Sequence, residues 1–532
     1  MKNRQIIKFL VLGTLMISSC TKLNEEDLLY GTVTSNNFYK TDLEFAAAVG
    51  AAYTNLYNIG GNNHMIPLNE VSTDEVVVPT RGADWGDGGH WVRLQTHTYN
   101  PTDPTPNNGW NFLYGGIATC NRVIFNLQPL GTPQSLAYIS ELKALRALYY
   151  YWLLDLFGNV PISTDFANTA PLPSNTRQQV YDFVETELIA NAPQLPKNGP
   201  GDGPNYGRMN YYTCYAILAK LYLNAQIYTG TAHWDKAISA CDTIINAAKY
   251  SLMANYKDNF AQKNQGSTEI IMAIPQDHVY AKGFNMCMMT LNPLHQNTYN
   301  MSNQPWNGFA TIQEFYQSYI DPVQNPGPQG TVTGLDPNGT PITGTIDARL
   351  SNFITGPQFL ADGSLMKDNG ADLTDPNGPP VTFTPYINEL QPNAWRQAGA
   401  RIGKWQFYSG MTTDLDNDWA VFRYADILLV KAEATARQSS NWNAAVTLAL
   451  VNQIRTRAAV TPFASLTADT FLAERGREMF CELFRRQDLI RFGKYNSAWR
   501  FHTADADAHV NLFPIPATQI TANPKLTQNP GY

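Results

Sequence analysis

The sequence predicts a mainly α protein: a tetratricopeptide-like scaffold of helical hairpins with one loop-rich, minor-β face. Three observations lead there. Apolar residues recur at helical spacing in several long runs, and two distant segments repeat one helix–turn–helix plan. Between those runs lie stretches dense in Gly and Pro where the period is lost.

Taken in order, a first helix is predicted over 43–57 (LEFAAAVGAAYTNLY), ending near Gly60-Gly61. Residues 62–109 hold Pro79, Pro101, Pro104 and Pro106 with five glycines, and read as loops with short strands. Helix returns over 110–127. The strongest run is 141–157 (ELKALRALYYYWLLDLF), in which Leu142, Leu145, Tyr149, Trp152 and Leu156 form one face. Leu148 and Leu153 lie outside that stripe, so the helix is expected to be covered on more than one side. Gly158 suits a left-handed stop. Thr176-Arg-Gln-Gln179 reads as a capping box opening a helix with inner face Val180, Phe183, Val184 and Leu188.

The repeated plan is a helix over 211–228 and another over 234–249, then 422–437 and 442–457. Small residues fall at matching steps after each Trp, Ala237 and Cys241 in one copy, Ala445 and Ala449 in the other. They would let paired helices approach closely. Residues 266–420 break the period again, with a buried strand at 268–274 and five Pro and five Gly between Asp321 and Thr345. A single helix is predicted over 471–492, where Glu474 and Glu478 sit in an ion network and Glu482 can meet Arg485 or Arg486. The scaffold is thus assigned to 41–60, 110–265 and 420–495, and the loop-rich face to 62–109 and 266–420, within one domain spanning 41–532.

Ahead of that domain, Lys2, Arg4 and Lys8 precede an apolar run ending at Ile17, then Ser18-Ser19-Cys20. This is the pattern of a secretory signal peptide over 1–19. Ile17-Ser-Ser-Cys20 resembles a bacterial lipobox, so lipidation of Cys20 is expected to be the membrane attachment, with 20–40 as an acidic tether.

Hydrophobic residues make up 44% of the chain, enough for a large core, whereas charged residues are only 15%. Tyr (28), Phe (24) and Trp (11) are abundant, giving a polar, uncharged, ring-bearing surface suited to neutral, hydroxyl-rich ligands. The net charge of −7 argues against nucleic acid. Five cysteines besides Cys20 have no paired short spacing, so no disulfide framework is expected. His90 and His97 fit no common metal spacing, and no cofactor motif is read.

Several segments together resemble the SusD/RagB starch-utilisation family: Cys20 in its lipobox, RALYYYWLLDLFGNVP from Arg146, RYADILLVKAEA from Arg423, ERGREMFCELFRRQDLIR from Glu474 and NLFPIPATQITANPKLTQNPGY from Asn511. The resemblance covers nearly all of 20–532. It implies an α-rich fold with tetratricopeptide-type pairs and a loop-rich ligand-binding face. It also implies an outer-membrane, lipid-anchored, non-catalytic lipoprotein facing the cell exterior, which passes oligosaccharides to a SusC-like TonB-dependent transporter. Oligopeptide cargo is the alternative the family allows.

A sugar site needs rings to stack on pyranose faces and polar groups around them for hydroxyls. Residues 72–91 offer both: Asp74, Arg81, Asp84, Trp85 and Trp91 on a Gly-rich loop. A second set is Tyr299 and Trp306 in YNMSNQPW, with Trp395, Tyr408 and Trp419 as remoter candidates of a kind more often found in the core. A surface glycoside hydrolase is the less favoured alternative, because adjacent Asp74 and Glu75 point opposite ways on an extended segment. Asp414-x-Asp416-x-Asp418 imitates a calcium loop, but Trp419 holds its Gly position.

Overall fold

The computed structural model describes residues 41–82, 84–201, 203–335, 341–368 and 378–532; the leader, Cys20 and the tether lie outside them. The chain divides into two units, 1–47 and 48–532. Helix α1 (Asp42–Tyr53) is opened by a reciprocal cap in which Thr41 N donates to Glu44 and Glu44 N donates back to Thr41.

The longer helices of the main unit are α3 (Pro104–Leu127), α4 (Pro133–Leu156), α5 (Arg177–Asn191), α6 (Tyr211–Leu223), α7 (Trp234–Ile245), α8 (Tyr424–Ser439) and α9 (Ala445–Arg457), with a short α2 (His90–Gln95) before them. Each packs on the next in chain order from α3 to α9, forming a continuous row of helical pairs. α4 is buried on every side from Ala144 to Leu156, as the two-sided apolar pattern predicts. Gly116 of α3 lets α4 approach, since a Cβ there would lie 2.1 Å from the Tyr149 ring. The capping box at Thr176 forms with Gln179. The inner face of α5 uses Tyr181 alongside Val180, Val184 and Leu188, while Phe183 is only half-buried.

Several boundaries differ from expectation for definable reasons. α3 begins at Pro104 rather than 110, because proline at the first helical position costs no hydrogen bond. The helix predicted over 211–228 breaks at Asn224. Phe422 and Arg423 belong to a strand, so α8 starts at Tyr424. Ala237 and Cys241 are buried as expected, but Ala445 and Ala449 are exposed; Thr447, Leu450, Val451 and Ile454 face inward instead.

The predicted helix 471–492 is two helices, α10 (Ala468–Met479) and α11 (Arg485–Arg491). Between them Cys481 (φ 56°) and Leu483 (φ 69°) are left-handed. Their N–H groups turn to the buried carboxyls of Glu75 and Glu70, 406 and 413 residues away. α10 and α11 plug the row through buried ion pairs. Arg475 reaches Asp426 (2.8 Å) and Asp488 (2.5 Å), Arg491 reaches Glu433 (2.6 Å), and Arg486 reaches Asp155 (2.9 Å). Glu474 meets Arg349, Arg455 and Arg477 at 2.6–2.8 Å, the structural network expected of it. Glu482 pairs with Lys404 and Arg423 rather than Arg485 or Arg486.

Four short strands, β1 (Val76–Val77), β3 (Ala310–Thr311), β6 (Phe353–Ile354) and β9 (Ala400–Ile402), form a sheet in the order β1-β3-β9-β6, antiparallel throughout. The predicted strand at 268–274 is β2 (Ile270–Ile274), paired with β10 (Trp419–Arg423). Within 321–345, β4 (Gln329–Leu335) and β5 (Pro341–Thr345) form a hairpin, and β7 (Gly356–Pro357) pairs with β8 (Thr382–Phe383).

Candidate ligand-binding face

The small sheet gathers three loops that are far apart in sequence: 80–85 after β1, 306–309 before β3 and 392–398 before β9. Arg81 ties them together. Its backbone closes a tight turn with Asp84, N–H to carbonyl in both directions at 3.0 and 3.2 Å. Its buried guanidinium donates to the carbonyls of Asn307 (2.6 Å), Gly308 (2.8 Å), Ala398 (2.8 Å) and Trp395 (3.2 Å). Burial, followed by the nearby Arg396, lowers the Arg81 pKa, and Asp84 opposes them. Flanking backbone bonds extend the tie: Thr80 N donates to Leu390 O, Gly82 N to Pro392 O and Ala394 N to Thr80 O.

Asn307 repeats the device one layer down. Its amide donates to Arg396 O (3.0 Å), and its oxygen accepts from Arg401 Nη2 (2.9 Å). Arg401 is fully buried, with its guanidinium 4.6 Å from the Phe383 ring centroid. A base bound by buried Arg-to-carbonyl hydrogen bonds holds loop backbones firmly without presenting those charges to a ligand.

On this base sit the rings. Trp85 is half-buried in a left-handed backbone conformation (φ 59°), and its Nε1 donates to Trp306 O (2.5 Å). It meets Trp91 and Phe309 edge-on at 5.2 and 5.4 Å, and Trp306 at 6.2 Å. Gly308 lies beneath it; a Cβ there would fall 2.3 Å from the indole. Trp306 is 38% exposed and Trp395 is 52% exposed, the latter 5.9 Å from Tyr386. The side chain of Asp84, in the same loop as Trp85, stays half-open to solvent, 3.7 Å from Arg396.

The predicted site residues therefore separate. Arg81, Asp84, Trp85, Trp91 and Trp306 come together, Arg81 as the buried tie and Trp91 as a buried support whose Nε1 donates to Asp87 (2.7 Å). Asp74 does not join them: its carboxylate is gripped on both oxygens by Arg485 at 2.6 Å. Tyr299 packs beside His295 and Phe407 instead. Tyr408 is half-buried, and Trp419 is core as expected. Trp395 is not core. Its only local signal was its place in a Pro- and Asn-rich loop, QPNAW, where a large ring has little to pack against.

The carboxylates of the calcium-like run are spread over separate partners. Asp418 accepts from Tyr206 and Gln276 N, Asp416 from His278, and Asp414 from Gly283 N. Among the described residues, two groups could hold a metal ion: half-buried Asp277 and Asp416 with exposed His278, and buried His97 and His502 with half-buried Asp505. The buried pair Glu70 and Glu75 lies at the α10–α11 break. Burial raises both pKa values, that of Glu75 to about 8.

Comparison with known proteins agrees with this architecture. Residues 268–532 match the model of the SusD family, and residues 32–223 match one described as starch-binding and associating with the outer membrane. The starch-binding protein SusD of Bacteroides thetaiotaomicron is 26% identical over 497 residues, 87% of this chain and 84% of that protein. A surface glycan-binding protein A from the same organism, solved in complex with laminarihexaose, superposes with a TM-score of 0.70 at 22% identity, covering 92% of this chain and all of that one. A SusD-superfamily protein of Parabacteroides distasonis gives 0.69 at 21% identity over 94% of this chain and all of that one. With the helical row, the plugging helices and the family matches in agreement, the chain belongs to the SusD/RagB family.

Proposed function

We propose that this protein captures oligosaccharides at the cell surface on the face built by loops 80–85, 306–309 and 392–398, without chemical change to them. The observation that carries the proposal is the combination of one buried Arg81 tie with partly exposed Trp85, Trp306 and Trp395 above it. Indole faces stack on the C–H faces of sugar rings, and Asp84 and Arg396 at the rim supply hydroxyl partners. A pre-ordered base of this kind limits the ordering cost of binding. The starch-binding and glycan-binding names of the relatives support the ligand class, and those relatives are named as binding proteins.

Lipid attachment at Cys20 on the outer membrane and hand-off to a SusC-like TonB-dependent transporter complete the proposed role. The family resemblance supports both, and the outer-membrane description of the matched family supports the location.

Calorimetric titration with maltooligosaccharides and laminarihexaose tests the site. Trp395→Ala and Trp306→Ala are each expected to weaken binding by about 1–2 kcal/mol, roughly five- to thirty-fold. Unchanged affinity in both variants would remove these loops from the site. Binding of mixed peptides with no response to any glycan would transfer the role to oligopeptide cargo.

A further inference from the structure

Further along the chain from the ring-bearing loop, at the 96–99 turn, His97 meets His502 and Asp505, which are remote in sequence. His97 Nδ1 lies 2.8 Å from Asp505 Oδ2, and His502 Nε2 lies 3.6 Å from that same oxygen. Both histidine side chains are sealed from solvent, and the Asp505 carboxylate is 9% exposed. All three ligand atoms fall within 4.8 Å of one another.

The outer surroundings of the two rings decide what this cluster is. His97 Nε2 faces the Ser72 carbonyl at 2.9 Å, which fixes its proton there and leaves the Nδ1 lone pair aimed at a carboxylate oxygen. His502 turns its Nε2 toward the same carboxylate oxygen of Asp505. Neither nitrogen of His502 makes a well-formed hydrogen bond. A proton shared between His97 and Asp505 would satisfy the first contact and leave the buried His502 ring without a partner. A cation at the centre satisfies all three groups at once. A histidine anchored through its outer nitrogen to a backbone carbonyl, as His97 is to Ser72, is the usual support of a metal ligand.

We propose that His97 Nδ1, His502 Nε2 and Asp505 Oδ2 form a structural zinc site that fastens the C-terminal segment to the 96–99 turn. Two imidazoles and one carboxylate are ligand types that suit Zn²⁺. Aromatic walls enclose it: Tyr495 stacks on His97 at 4.3 Å and Trp499 lies 4.0 Å from His502. Asn496 Nδ2 donates to Asp505 Oδ2 (3.1 Å) and orients the carboxylate. The site shares no residue with the ring-bearing face, and its test does not depend on glycan binding.

The full chain, stripped with chelator and titrated with Zn²⁺ alone, is expected to take up one equivalent with a rise in melting temperature. His502→Gln and Asp505→Asn are each expected to lower Zn²⁺ affinity at least ten-fold, whereas Asp416→Ala in the Asp277, His278 and Asp416 group leaves it unchanged. X-ray absorption on the zinc-loaded, unsubstituted chain is expected to report two imidazole ligands, which keeps the test decisive should a variant fail to fold. Absence of stoichiometric uptake would overturn the proposal. So would uptake abolished by Asp416→Ala, or a spectrum with no imidazole.

Discussion

Arg81→Met tests whether one side chain holds the ligand-binding face together. Methionine keeps most of the volume and removes the guanidinium. Four hydrogen bonds are lost, and three of the stranded carbonyls, on Asn307, Gly308 and Ala398, belong to buried residues. Each unsatisfied buried acceptor costs about 1–3 kcal/mol, and relaxation with water entry favours the lower value. No carboxylate is left unpaired in the pocket, so the full penalty of a broken buried ion pair does not apply. The expected loss is about 3 kcal/mol, read from the urea midpoint and slope. Hydrogen exchange is expected to quicken in 306–309 and 395–398 while α4 stays protected, and glycan affinity is expected to fall with the loop order. A loss below about 1 kcal/mol with unchanged protection in both loops would refute the idea of a single tie.

Three further outcomes are expected. Gly308→Ala places a methyl 2.3 Å from the Trp85 ring, so the indole must move; the cost is about 1–3 kcal/mol by thermal melting, with a shift in tryptophan emission and weaker glycan binding. Glu474→Gln removes the carboxylate shared by Arg349, Arg455 and Arg477, leaving buried guanidinium charge uncompensated, and is expected to cost about 3–5 kcal/mol in chemical denaturation. Glu75 is raised by burial from 4.5 to about 8, so the unfolded chain releases this proton first as pH rises. Its contribution is therefore intact below about pH 4.5 and is lost progressively up to about pH 8; Glu75→Gln is expected to flatten that part of the stability profile relative to the unsubstituted protein.

The helical row was legible in the sequence because its signals are local. The period of 141–157, the Thr176 box and the alternation of helix with loop are all written within a few turns of the residues they govern. The α10–α11 break was not legible, since nothing between Phe471 and Phe492 announces it. Its cause is a pair of carboxyls from the 70s that claims the N–H groups of Cys481 and Leu483. Ala445 and Ala449 misled for a related reason: spacing alone does not say which face of α9 turns inward.

In the site, Arg81, Asp84, Trp85 and Trp91 were found because composition clusters them on one loop, and Trp306 because it stands in a second ring-bearing loop. Asp74 has the same local character, yet Arg485 captures it across 411 residues. Trp395 was passed over because exposure depends on neighbours that only the folded chain supplies. His97 escaped for the same reason: its partners lie some 400 residues further along the chain.

The four-stranded sheet carries an implication for how the chain reaches its native state. Every pairing in it joins distant segments, Val76 with Thr311, Ala310 with Arg401 and Phe353 with Ile402, whereas most helical pairs close over short stretches. Contacts between distant segments bear a larger loop-closure penalty and form slowly. Helical pairs are therefore expected to assemble early and the ring-bearing surface last, so that ligand competence marks the end of maturation rather than its beginning.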